Sequence, residues 1–152
     1  MAQGKLESAL RLCAIALKSR SMAATIRAAA IHWLVAKFGD TGNAICTSKF
    51  YIPKKSRTRQ SAWWLEISLR AIETPKSEAI DLVCEVAPGA NEFYYLKVPI
   101  KFFKKELPKL CVRKNGKVCL FLSAEQNEMF IEQRGKGRIG FGRFLKPSNL
   151  AA

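Results

Sequence analysis

The chain has 152 residues, 49% of them apolar and 10% aromatic. That is the size of one domain, with enough hydrophobic surface for a core, and it excludes a disordered chain. Its 26 Lys and Arg against 12 Asp and Glu leave a formal charge of +14, beyond what solubility requires, so an anionic partner is expected: nucleic acid, an acidic protein or an anionic membrane surface.

From Lys5 to Lys18 the residues Leu6, Leu10, Cys13, Ile15 and Leu17 fall on one side at helical spacing while Lys5, Arg11 and Lys18 face away, which predicts an amphipathic helix. Ser21 can cap a second helix over Met22 to Phe38, ended by Gly39. It is apolar nearly all round and rich in Ala, so it is expected at the buried centre of the fold. Arg27, His32 and Lys37 interrupt it, so it is no membrane-spanning segment, and no other run reaches the ~18 apolar residues one needs. The first 31 residues are poor in acids and weakly resemble a transit peptide, while Leu12 to Leu17 is too short for a secretory apolar region.

Four strands are predicted next, Ile45 to Ile52, Ala62 to Leu69, Ala79 to Val86 and Phe93 to Val98, and their short connections favour an antiparallel meander. Pro99 stops the fourth. Ile100 to Leu107 reads as a short helix ended by Pro108, and a last helix is expected over Ala124 to Arg134. Between them, Asn115-Gly116 signals a two-residue hairpin that sets Lys114 across from Lys117, Val112 from Cys119 and Cys111 from Leu120. In that register the sulfurs of Cys111 and Cys119 stay apart. The five cysteines, with Cys13, Cys46 and Cys84, form no CxxC pair, so reduced thiols in a reducing compartment, cytoplasmic or nucleoid/nuclear, are expected. The whole of residues 1–152 thus reads as a single α+β domain: an N-terminal helical pair packed on a mainly antiparallel sheet of about four to six strands, a short C-terminal helix and a basic Gly-rich tail.

Charge is uneven along the chain. Residues 1–60 carry a net +9, residues 61–100 carry −3 and residues 101–152 carry +8. Three basic clusters stand out. Lys54, Lys55, Arg57 and Arg59, with Ser56 and Thr58 as hydroxyl donors, lie between the aromatic pairs Phe50-Tyr51 and Trp63-Trp64. Lys101, Lys104 and Lys105 share a helix face that leaves Phe102 and Phe103 toward the core, and Lys109, Arg113, Lys114 and Lys117 follow around the hairpin. Arg134, Lys136, Arg138 and Arg143 alternate with glycines that let backbone amides approach a phosphate. Gly135, Gly137 and Gly140 spell GxGxxG, but too little chain follows for a βαβ dinucleotide site.

The leading expectation is a nucleic-acid-binding domain, DNA slightly ahead of RNA, in which these separate clusters converge on the phosphate backbone. Arg57, Arg59, Arg138 or Gln60 would read bases, and no cofactor is required. The enzymatic alternative is a divalent-metal nuclease: Glu66, Asp81 and Glu85 on adjacent strands would hold Mg²⁺ or Mn²⁺, with Lys97 as the assisting cation. If no metal is held, Glu66 pairs with Arg70 on a polar sheet face. A third alternative is a basic protein-interaction module. His32 stands alone mid-helix, and no nucleophile has a recognisable partner. Oligomeric state is left open, a homodimer included.

Overall fold

The computed structural model describes residues 26–56 and 59–147. The helix expected over Lys5 to Lys18, the start of the second helix and Arg57 lie outside the described residues. The chain is α+β: helix α1 spans residues 26–38, followed by β1 (Ala44–Ser48), β2 (Phe50–Tyr51), β3 (Ala62–Ser68), α2 (Leu69–Glu73), β4 (Ala79–Glu85), β5 (Phe93–Pro99), α3 (Ile100–Glu106), a 3₁₀ turn (Leu107–Lys109), β6 (Cys111–Val112), β7 (Lys117–Ser123), a second 3₁₀ turn (Gly142–Phe144) and β8 (Leu145–Lys146).

Among the described residues, eight strands divide between two sheets, ordered β1-β4-β5-β8 and β2-β3-β7-β6. The expected meander is corrected on two counts. β1 runs parallel to β4, and β3 pairs with β2 and β7 rather than with β4. The strand predicted as continuous from Ile45 changes sheets at Lys49, its first half pairing in one sheet and Phe50-Tyr51 in the other. That corner leaves part of the β3 edge without a ladder partner, and β1 side chains supply one. The Trp64 N–H donates to Ser48 Oγ at 2.9 Å, and the Cys46 thiol donates to the Glu66 carbonyl at 2.8 Å. Backbone groups that no ladder partner reaches are thereby satisfied.

Period-two alternation decides what each face meets. Trp63, Leu65 and Ile67 of β3, Val118, Leu120 and Leu122 of β7, and Ile80, Leu82 and Cys84 of β4 turn inward to one core, closed by Ile100, Phe102 and Phe103 of α3. On the opposite face of the first sheet, Val83, Phe93 and Tyr95 pack under Ala30 and Leu34 of α1. This corrects the expectation for α1: only Ala30 and Leu34 are fully buried, and His32 is exposed. The helix is a cover, and alanines make much of its exposed side apolar. Its end is as expected, with the Gly39 N–H bonded to the Val35 carbonyl at 2.9 Å and φ at +79°, a left-handed terminus glycine reaches without strain.

Two local expectations fail for identifiable reasons. The hairpin closes with the Arg113 N–H on the Lys117 carbonyl and the Gly116 N–H on the Arg113 carbonyl, so three residues form the loop, with Gly116 at φ +77°. That one extra residue moves the register, and Cys111 faces Cys119 directly while Val112 faces Val118. Residues 124–134 are turns and bridges instead of a helix. There the buried Glu132 carboxylate accepts the N–H groups of Phe121, Arg134 and Gly135, and Phe130, at φ +65°, stacks on Trp63 with ring centres 5.0 Å apart. Tertiary partners outweigh local helical spacing, and the last helical piece is the turn Gly142–Phe144.

Candidate functional site

The outer faces of the two sheets differ. α1 covers the first, whereas the second carries the alternate residues of β2, β3 and β7: Tyr51, Trp64, Glu66 and Phe121, with Cys119 beneath. Trp64 and Phe121 are direct cross-strand partners whose rings lie nearly parallel, 13° apart with centres 5.7 Å apart. Each ring carries a cation. The Arg113 guanidinium carbon sits 5.5 Å from the Trp64 centre and that of Arg134 sits 5.2 Å from the Phe121 centre. On the neighbouring strand, Lys49 Nζ is 4.9 Å from the Tyr51 ring. Such contacts contribute about 0.5–2 kcal/mol each and hold a guanidinium in place, and one nitrogen of Arg113 also meets Glu66 Oε1 at 3.4 Å. Lys55 and Ser56 border the same face, lining with Tyr51, Ala62, Trp64 and Phe121 a notch of about 70 Å³. Lys117, opposite Ser68, stands exposed at the end of the row.

The predicted cations thus fall into two groups. Lys55, Lys117 and Arg134 border the aromatic face, joined by Lys49 and Arg113, while Lys54, Arg59 and Lys114 project from exposed turns. The second group gathers around α3. Lys101, Lys104 and Lys105 line its exposed side, with Phe102 and Phe103 buried as expected. Arg143 lies 4.8 Å from the ring centres of both Phe102 and Phe144. The Lys136 N–H bonds the Lys109 carbonyl. Gly135 passes so close to that carbonyl that an added Cβ would lie 2.2 Å from it, so only glycine fits there. Arg138 is engaged elsewhere, paired with Glu128 at 2.6 Å.

The carboxylates do not come together as the nuclease expectation requires. Glu66 lies on the outer face of the second sheet, where it pairs at 3.4 Å with Arg113 rather than with Arg70. Asp81 and Glu85 lie on β4 in the first sheet. Asp81 is fully buried and accepts from the Thr41 hydroxyl, from Asn43 Nδ2 at 3.1 Å and from the Tyr95 hydroxyl at 2.7 Å. Burial, reinforced by that bond to Asp81, pushes the Tyr95 phenol above its usual range. Glu85 accepts the N–H groups of Phe50 and Gly89 and so pins the strand where it changes sheets. Lys97, across from Asp81, is exposed. Among the described residues, no group of three His, Cys, Asp or Glu side chains is placed to hold a metal ion. The reason is topological: β3 and β4 follow one another in the chain but belong to different sheets.

A cleft of about 680 Å³ beside α2 is lined by Asn43, Arg70, Thr74, Lys76 and Ser77 and contains none of the predicted site residues. Among the described residues, no helix is long and apolar enough to cross a membrane. No family model, curated protein or solved structure matches the chain. Lys49, Tyr51, Trp64 and Phe121 are the site residues that cluster counting passes over, while Arg113, counted with the hairpin cations, is placed on this face only by the fold. Alternation within β3 and β7 carries the signal for Trp64 and Phe121, but joining the two strands into one face needs a pairing that the chain order does not suggest.

Proposed function

We propose that this protein binds single-stranded nucleic acid on the outer face of its second sheet. The observation that supports the reading is the pair of cross-strand rings, Trp64 and Phe121, each holding an arginine, with Tyr51, Lys49, Lys55 and Lys117 around them. Stacked guanidiniums offer N–H groups to phosphate oxygens at small entropic cost, Arg113 through the nitrogens that Glu66 does not hold. An unpaired base stacks on aromatic rings and on guanidinium planes alike, at about 1–3 kcal/mol per base, so the Arg113–Trp64 stack and the half-buried Tyr51 beside it serve as the platform. In a duplex the bases are already stacked on one another, and its major groove is entered by a helix or a two-stranded ribbon rather than by a broad sheet face. DNA and RNA single strands share this chemistry, so both belong in the test.

Fluorescence anisotropy with labelled single strands of DNA and RNA, and with the duplex of the same sequence, tests the reading at low salt. Either single strand is expected to bind more tightly than the duplex. Trp64→Ala should weaken it about tenfold or more, with Arg113→Ala/Arg134→Ala as the variant that leaves both rings in place. Equal or tighter duplex binding, or single-strand binding indifferent to both variants, would overturn it. No binding to any oligonucleotide, together with capture of an acidic protein, would favour the interaction-module alternative.

A further inference from the structure

The register of the β6-β7 hairpin sets two thiols against each other on one sheet face. We propose that Cys111 and Cys119 are an oxidation site, at which a peroxide converts the thiol pair into a reversible cross-strand disulfide. Cys111 and Cys119 are direct partners in the ladder, and both are free thiols. The Arg113 N–H bonds the Lys117 carbonyl at 2.8 Å, so 113 and 117 are a hydrogen-bonded pair. Alternation makes 111 and 119 the next pair of that kind. Such pairs hold their Cα atoms about 5.5 Å apart, inside the range a disulfide bridges.

Access differs between the two. Cys111 is half-buried on β6, at the edge of its sheet, whereas Cys119 is fully buried behind it with its sulfur near Glu66 Oε1. The edge thiol therefore meets the oxidant and the inner one resolves it. In the first step the Cys111 sulfur attacks a peroxide oxygen, an S–O bond forms, the O–O bond breaks and water leaves, giving a sulfenic acid. In the second, the Cys119 sulfur attacks that of Cys111. An S–S bond forms, the S–O bond breaks and a second water leaves. Two thiols lose two hydrogens and two electrons, and one hydrogen peroxide becomes two waters. A thiol reductant reverses the reaction. The other described cysteines are differently placed. Cys46 is held on the Glu66 carbonyl with its thiol pushed up to about 11 by burial, and the fully buried Cys84 is raised by burial as well, which leaves little thiolate at either.

This inference stands apart from the nucleic-acid reading and is tested on the full chain by peptide mapping. After limiting hydrogen peroxide, alkylation and trypsin, cleavage at Lys109, Arg113 and Lys117 leaves Cys111 and Cys119 in separate peptides. A species joining them is expected, two hydrogens lighter than the two free peptides together. It should be released by dithiothreitol and be absent from Cys111→Ser, whose Cys119 should stay a thiol. Joining of either cysteine chiefly to Cys13, Cys46 or Cys84 would overturn the proposal, as would oxidation of Cys111 to the sulfinic acid with Cys119 left alkylatable.

Discussion

Asp81 shows how one residue can look catalytic in the sequence and act structurally in the fold. Its buried carboxylate gathers Thr41, Asn43 and Tyr95, tying the loop after α1 to two strands. Asp81→Ala strands those donors away from water, and unsatisfied buried polar groups cost about 1–3 kcal/mol each. A loss on the order of 3 kcal/mol is expected in urea melts. Cys46 makes a second prediction, in pH. Its thiol titrates at 9.0 when unperturbed and at about 11 in the fold, chiefly through burial. A raised folded value means that the unfolded chain ionises first, so the stability the group contributes is complete below pH 9 and is lost as pH rises toward 11. The slope is 1.36 kcal/mol per unit of difference, so the loss is on the order of 3 kcal/mol. Cys46→Ala should flatten the stability profile across that window, measured by urea melts at successive pH values.

At the scale of elements, the contrast between the two sheet faces carries the argument. α1 seals one face through Ala30 and Leu34 over Val83, Phe93 and Tyr95, while the other is left to Tyr51, Trp64 and arginine-capped rings. Leu34→Ala opens a cavity under α1 and should cost about 2–5 kcal/mol in thermal or urea unfolding, with little effect on binding at the opposite sheet. Much of this level was legible in the sequence. Alternation located β3, β4 and β5 to within a residue or so, Gly39 ended α1, and Phe102 and Phe103 were assigned to packing correctly. Pairing was not legible. A parallel partner such as β4 for β1 leaves no local mark, and the hairpin register turned on whether Lys114 belongs to the loop, which the Asn115-Gly116 pair does not decide. The helix expected over 124–134 gave way to Glu132, whose role depends on amides that only the folded chain brings to it.

For the whole molecule, a charge of +14 predicts an anionic partner without saying where it sits, and the clusters do not all meet in one place. Arg138 is engaged with Glu128, and Arg143 stacks at α3. Lys55, Lys117 and Arg134, joined by Lys49 and Arg113, border the aromatic face and give the account its definite stoichiometry. The salt dependence of single-strand binding tests it most directly. Five phosphate contacts on a single strand correspond to a log-log slope of about −3.5, and Arg113→Ala/Arg134→Ala should bring it to about −2. A slope near zero, or one unchanged in that double variant, would contradict the claim that this face holds the strand.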